Sequence, residues 1–145
     1  MLTWLETLPL ADWLRLHPRV YAAVSAVHIL GLGVLFGTIA VVDLRLLGRL
    51  RALPVSAVRE TMIPIAASAL CLTLATGFLM FSIRAGHYAA NPAFQVKLAL
   101  IAVSFANILM AHAAPEDSRA RQVAALLSLG LWGGTIFAGR WIAFT

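Results

Sequence analysis

Few side chains in this sequence could do chemistry, and the most telling ones stand inside apolar runs. His28 lies within VYAAVSAVHILGLGVLFGTIAVV, residues 20–42, a stretch long enough to cross a bilayer at 1.5 Å per residue. An ionisable group at that depth costs at least ~2.5 kcal/mol unless something pairs with it, so it marks a functional site by default. His112 closes the third apolar run, and Met80 belongs to a polar-tinged stripe on the second. Arg84, Lys97 and Arg140 sit near the ends of their runs and all fall toward one membrane surface.

A b-type haem accounts for this set together. Neutral imidazole is the commonest axial ligand, and methionine can be the second. Glycines make room for a flat macrocycle between helices, and Arg84, Lys97 and Arg140 suit its two propionates. Trp132 and Gly139 line up on the fourth run just before Arg140 and complete the expected haem-binding set. Depth limits the choice of second ligand. His28 lies ~12 Å from one surface and His112 ~25 Å from the same surface, at 1.5 Å per residue. Met80, ~6 Å from that surface, matches His28 more closely, while His87 falls at or beyond it. The partner of His28 therefore stays open among His112, Met80 and His87. The alternative filling is copper, for which histidine and methionine are suitable donors, although no HxxxH, CxxC or MxxM pairing appears. No nucleophile–base pair, phosphate-binding loop or paired intramembrane carboxylates are visible, so no catalytic residue is assigned. The acids stand only at the ends of the runs.

The elements that must position these groups follow from composition. The 145 residues are 61% hydrophobic and 12% charged, with a mean hydropathy of +0.90. Soluble domains are about half apolar and about a quarter charged, so this is a protein of the lipid bilayer. The net charge of +5 does not point to nucleic acid, because the basic residues cluster at the ends of apolar runs. Cys71, the single cysteine, excludes a disulfide framework and reads as a buried packing thiol.

One domain of four spanning helices is predicted, at roughly 19–43, 60–83, 95–114 and 122–144. Short connections make it an all-α up-down four-helix bundle with antiparallel neighbours. Pro64 is expected in the first turn of the second helix, and Asn91-Pro92 breaks the chain before the third. Before the bundle, Thr3 and Glu6 fit a capping box, and Trp4 and Trp13 suit headgroup level. A short N-terminal helix lying in the interface is therefore expected. Gly33 and Gly37 fall about 140–180° round the first helix from His28 and offer a small-xxx-small face for a second backbone, including a homo-oligomer. Gly130 and Gly134 offer a similar contact on the fourth helix. Thr73, Thr76, Gly77, Met80, Arg84 and His87 fall within about 60° of one another on the second. Asn107, in mid-membrane, needs a hydrogen-bond partner on another helix. Arg45, Arg49, Arg51, Arg59, Arg119 and Arg121 outnumber Arg15, Arg19, Arg84, Lys97 and Arg140, which places loops one and three in the cytoplasm and both termini outside.

Read as phrases, HILGLGVLFGTIAVVDLRLLG, NPAFQVKLALI and LWGGTIFAGRWIAF resemble a bacterial family of four-helix membrane proteins of unassigned function. In that pattern the counterparts of His28, Arg45, Asn91, Lys97, Asn107, His112, Trp132 and Arg140 recur, and the place of His87 is usually another polar residue. The resemblance thus favours His112 over His87, against the depth argument. More remotely the chain is similar to the copper-resistance D membrane domain and to the four-helix bacterial protoporphyrinogen oxidase, through His28 and Lys97. The first likeness implies metal passage. The second implies haem b and electron delivery to an oxidase or quinone. The expectation is an inner-membrane b-type cytochrome passing single electrons between a quinone or partner redox protein and an acceptor. The alternatives are a haem-free protein handling copper or a small solute, and an assembly subunit.

Overall fold

A computed structural model describes residues 2–115 and 118–144. Seven α-helices follow one another: α1 (Thr3–Glu6), α2 (Pro9–Leu16), α3 (Pro18–Leu46), α4 (Val55–Ile83), α5 (Ala85–Ala90), α6 (Pro92–Ala113) and α7 (Arg119–Trp141), with a 3-10 turn at Ile142–Phe144. No strand occurs among the described residues, and α3, α4, α6 and α7 are each long and apolar enough to cross a membrane. The expected all-α four-helix membrane bundle is what the chain forms.

Its limits differ from expectation in ways that have local causes. α4 starts at Val55, so Pro64 lies well inside the helix rather than in its first turn. Pro64 cannot donate to the carbonyl four residues back, and the bilayer context tolerates this where nearby hydroxyls bond the backbone. Ser68 Oγ donates to the Pro64 carbonyl at 3.0 Å. The N-terminal segment is two helices, not one, because Pro9 restarts the chain as the first residue of α2. The Thr3–Glu6 capping box does not form. Glu6 Oε1 instead accepts the Gly86 N–H at 2.8 Å, and Arg15 donates to the carbonyls of Glu6 and Ile83. Together these bonds clamp α1 and α2 over the end of α4, with Trp4 and Trp13 left exposed as expected for headgroup level. The expected break at Asn91-Pro92 is present, with the Asn91 side chain accepting from the Phe94 N–H at 3.2 Å as an N-cap.

Packing runs α4–α3–α7–α6. The hairpins α3/α4 and α6/α7 are tight, α3 joins them through α7, and α4 does not pack against α6 although the two are consecutive spans. The intervening α5 holds their ends apart. The bundle is polar inside and apolar outside. Leu30, Leu109 and Phe137 are largely exposed, while Thr73, Thr76, Ser82, Ser104, Asn107, Ser128 and Thr135 are buried. Lipid removes the hydrophobic drive between helices, so close approach and hydrogen bonds hold them. Asn107 Nδ2 donates to the Ala124 carbonyl at 2.9 Å, the interhelical bond its position required. The apolar core is small, with Leu35, Ala69 and Trp132 at its centre.

Glycine faces divide into used and unused. A Cβ on Gly31 would stand 2.8 Å from Thr73 Cγ2, so α3 and α4 meet there. Gly33, Gly37 and Gly130 have nothing within 4 Å of such a Cβ, and Gly134 meets only Leu100. Within the chain the GxxxG face is therefore unpartnered, and the contact expected of Gly130 is absent. Cys71 is exposed on the outer face rather than buried. Gly31→Ala is expected to destabilise the folded protein by ~1–3 kcal/mol through overpacking against Thr73. Gly33→Ala should leave stability within ~0.5 kcal/mol. Denaturant titration in detergent micelles checks the pair.

Candidate functional site

Four helices converge on one point in the half of the bundle that carries both termini. α3 contributes His28, α4 contributes Thr76 and Gly77, α6 contributes Lys97 and α7 contributes Gly139. His28 is half-buried, with Nδ1 2.9 Å from Thr76 Oγ1. The Thr76 hydroxyl proton is already committed to the Leu72 carbonyl at 2.7 Å. Thr76 Oγ1 must then accept, His28 Nδ1 must carry the proton, and Nε2 is left with its lone pair. This is the arrangement of ligating histidines, in which a bond at one nitrogen fixes the tautomer and aims the other.

Gly77 belongs to the same construction. A Cβ there would lie 3.1 Å from His28 Cε1, so only glycine leaves the ring its place. Lys97 is close enough for its charge to act on the imidazole. A Cβ on Gly139 would meet Lys97 Nζ at 3.1 Å, so the lysine stem lies along a bare stretch of α7. The only salt bridge among the described residues is Asp12–Arg15, on α2. Lys97 thus has no carboxylate at salt-bridge distance there, which makes its surroundings receptive to an anion.

Of the other expected residues, some approach this cluster and others do not. Met80 stands one turn beyond Thr76 on α4 and is half-buried, but α3 and α4 pack directly together, leaving no slot for a macrocycle between Met80 and His28. Arg84 is exposed where α4 ends, within electrostatic range of Tyr21. Arg140 is exposed, its guanidinium 5.4 Å over the Phe144 ring. Lys97 is therefore the one cation of the three at the imidazole. His87 lies on α5 rather than on the α4 stripe, because the backbone turns at Arg84; it is exposed and edge-on to Tyr88. His112 is far away. Fifteen residues separate it from Lys97 along α6, or ~22 Å. Its Nδ1 bonds the Ile108 carbonyl of its own helix at 2.8 Å. Trp132 is likewise remote from His28, buried in the core with Leu35 and Ala69. No three His, Cys, Asp or Glu side chains converge among the described residues.

Sequence reasoning passed over Asp43. It was counted with the acids at the ends, yet α3 continues to Leu46 and the carboxyl is buried, only 6% exposed. Leu35, Ile39, Val42, Asp43 and Leu46 share one helix face at i, i+4, i+7, i+8 and i+11, and that spacing is the signal that places Asp43 inward.

No family model matches the chain, and no curated protein or solved structure matches it either. The functional argument accordingly starts from the His28 cluster. Thr76→Val removes the acceptor for His28 Nδ1–H and should cost ~1–3 kcal/mol, whereas Thr76→Ser should be nearly neutral. Nitrogen NMR of histidine-labelled protein should show His28 in the Nδ1–H tautomer, with that signature lost in Thr76→Val and kept in Thr76→Ser.

Proposed function

We propose that the chain is a b-type cytochrome of the bacterial inner membrane, holding haem through His28 Nε2. The observation that carries this reading is the fixed tautomer. Thr76 takes the Nδ1 proton, so the imidazole offers a lone pair inside the hydrocarbon layer. Lys97, with no carboxylate at salt-bridge distance among the described residues, is the residue to balance a propionate. Arg84 and Arg140, at the same end, supply charge at the headgroup surface. Haem, when bound, supplies a one-electron couple whose potential follows from its axial ligand and surroundings.

His112 is too distant and Met80 too close-packed to oppose His28, so one imidazole per chain is the protein's contribution. The open faces at Gly33 and Gly37 suit a homo-oligomer in which a second copy lies against α3. With the arginine-rich loops cytoplasmic, both termini and His28 fall in the periplasmic half. Copper is the weaker filling, since His28 has no converging cysteine, carboxylate or second histidine among the described residues.

Detergent-purified protein expressed with haem available is expected to give a sharp reduced α-band and near-stoichiometric haem b by pyridine haemochrome. His28→Ala should lose haem, His87→Ala and His112→Ala should keep it, and Lys97→Ala should weaken retention severalfold. Colourless wild-type protein, or full haem in His28→Ala, overturns the reading.

A further inference from the structure

The opposite half of the bundle contains a cavity of about 330 Å³ that the His28 cluster does not use. All four spanning helices line it, and its walls are almost wholly apolar. It lies where α4 and α6 stand apart, and Ile63 and Phe105, both exposed, flank that gap. A molecule would therefore enter from the hydrocarbon layer.

Two polar atoms on its walls have no hydrogen-bond partner. Asp43 Oδ2 and Trp132 Nε1 are both buried, on side chains 6% and 4% exposed. Ser128 of α7 is within hydrogen-bonding reach of the Asp43 carboxyl, but Oδ2 stays unmatched. An unanswered buried polar group costs ~1–3 kcal/mol, and two of them on one cavity define what should fill it. Trp132 offers a donor only and calls for an oxygen acceptor. Asp43 Oδ2, as carboxylate, calls for a hydroxyl donor. Ser128 lies one helical turn, ~6 Å, from Trp132, so the two demands are offset along the bundle by about the width of a six-membered ring bearing an oxygen at each end.

We infer that this cavity is a binding site for a lipid-soluble quinol, whose ring is held between Trp132 Nε1–H and the Asp43 carboxylate. The tail leaves through the gap between α4 and α6. An acyl chain of a phospholipid fits the apolar walls but leaves both polar atoms unanswered. The inference gives the electron carrier of the cytochrome reading a location, and in that sense it deepens that reading. Binding itself requires no haem, so the two stand or fall separately.

The test is equilibrium binding of a decyl-benzoquinol and of its quinone to haem-free protein in detergent, with helicity and gel-filtration profile recorded for each variant. Wild type should bind the quinol several-fold more tightly than the quinone, because ionised Asp43 repels a carbonyl oxygen. Trp132→Phe should weaken quinol binding about tenfold, the size of one hydrogen bond to a buried group. Asp43→Asn, whose amide can donate, should erase or reverse the preference for quinol over quinone. Ala125→Leu, which fills the cavity from α7, should abolish binding of both, and Ala67→Leu on α4 is the second filling variant should the first fail to fold. Wild-type affinity in folded Trp132→Phe and in a folded filling variant overturns the site. An unchanged quinol-to-quinone ratio in Asp43→Asn overturns the role of Asp43. Displacement of bound phospholipid but no quinol binding assigns the cavity to an acyl chain and overturns the proposal.

Discussion

In the hydrocarbon layer a polar side chain has no water to fall back on, and each must be answered by protein or by a bound molecule. The close approach of α3 to α4 answers most of them here. At Gly31 the absent Cβ lets Thr73 lie against α3, and at Gly77 it admits the edge of the His28 ring. That separation puts Thr76 Oγ1 2.9 Å from the imidazole. It also leaves the other side of α3 for α7, and α7 carries α6. The placement of Lys97 beside His28 thus depends on a contact made two helices away.

Much of this arrangement was legible in the sequence because membrane helices advertise themselves by length and composition. The four spans, the break at Asn91-Pro92 and the interhelical bond of Asn107 follow from apolar run length, proline chemistry and the need to satisfy an amide in lipid. The threonine stripe on α4 was visible too, although its hydroxyls also bond their own helix, as Thr73 does with the Leu70 carbonyl. What periodicity could not convey was which neighbour each face meets. His87 appeared to extend the α4 stripe because nothing in the spacing announces the turn at Arg84, where φ is −142° and ψ 54°. Gly33 and Gly37 form the more recognisable pattern, yet the glycines that matter inside the chain are Gly31 and Gly77. Asp43 was missed because helix ends inferred from hydropathy stop at the first charge. Here the helix runs three residues further and turns that charge inward.

The two polar regions of the interior are chemically opposite. Near the termini an imidazole and an ammonium have no carboxylate at salt-bridge distance among the described residues, so the region is receptive to a ligand atom with an empty orbital and to an anion. Toward the loops a carboxylate oxygen and an indole N–H stand unpaired on an apolar cavity, a region receptive to a neutral molecule with hydrogen-bonding ends. Between them lies the core of Leu35, Ala69 and Trp132. Leu35 is seven residues from His28 on α3, or ~10 Å, so the two regions are neighbours and remain distinct.

That separation explains why no single cofactor reconciles His28 with His112. Ligands of one iron stand on opposite sides of one macrocycle, at one depth, whereas these histidines belong to different halves of the bilayer. His112 has its Nδ1 on its own helix and Arg121 beside it, and Arg121 donates to the carbonyls of Ala111 and Ala114 at the end of α6. Cationic groups at a helix C-terminus answer carbonyls that the helix leaves unbonded. The position of His112 is accounted for by that end-capping and by the cavity mouth it lines, without any bond to iron. His28 has no such local explanation. It lies in the middle of a helix, its ring turned by a hydroxyl from a second helix and its place cleared by a glycine, with a third helix bringing a cation to its side. A histidine serving only to join α3 to α4 would need Thr76 and nothing else. The cation and the open Nε2 are the surplus that a bound group explains.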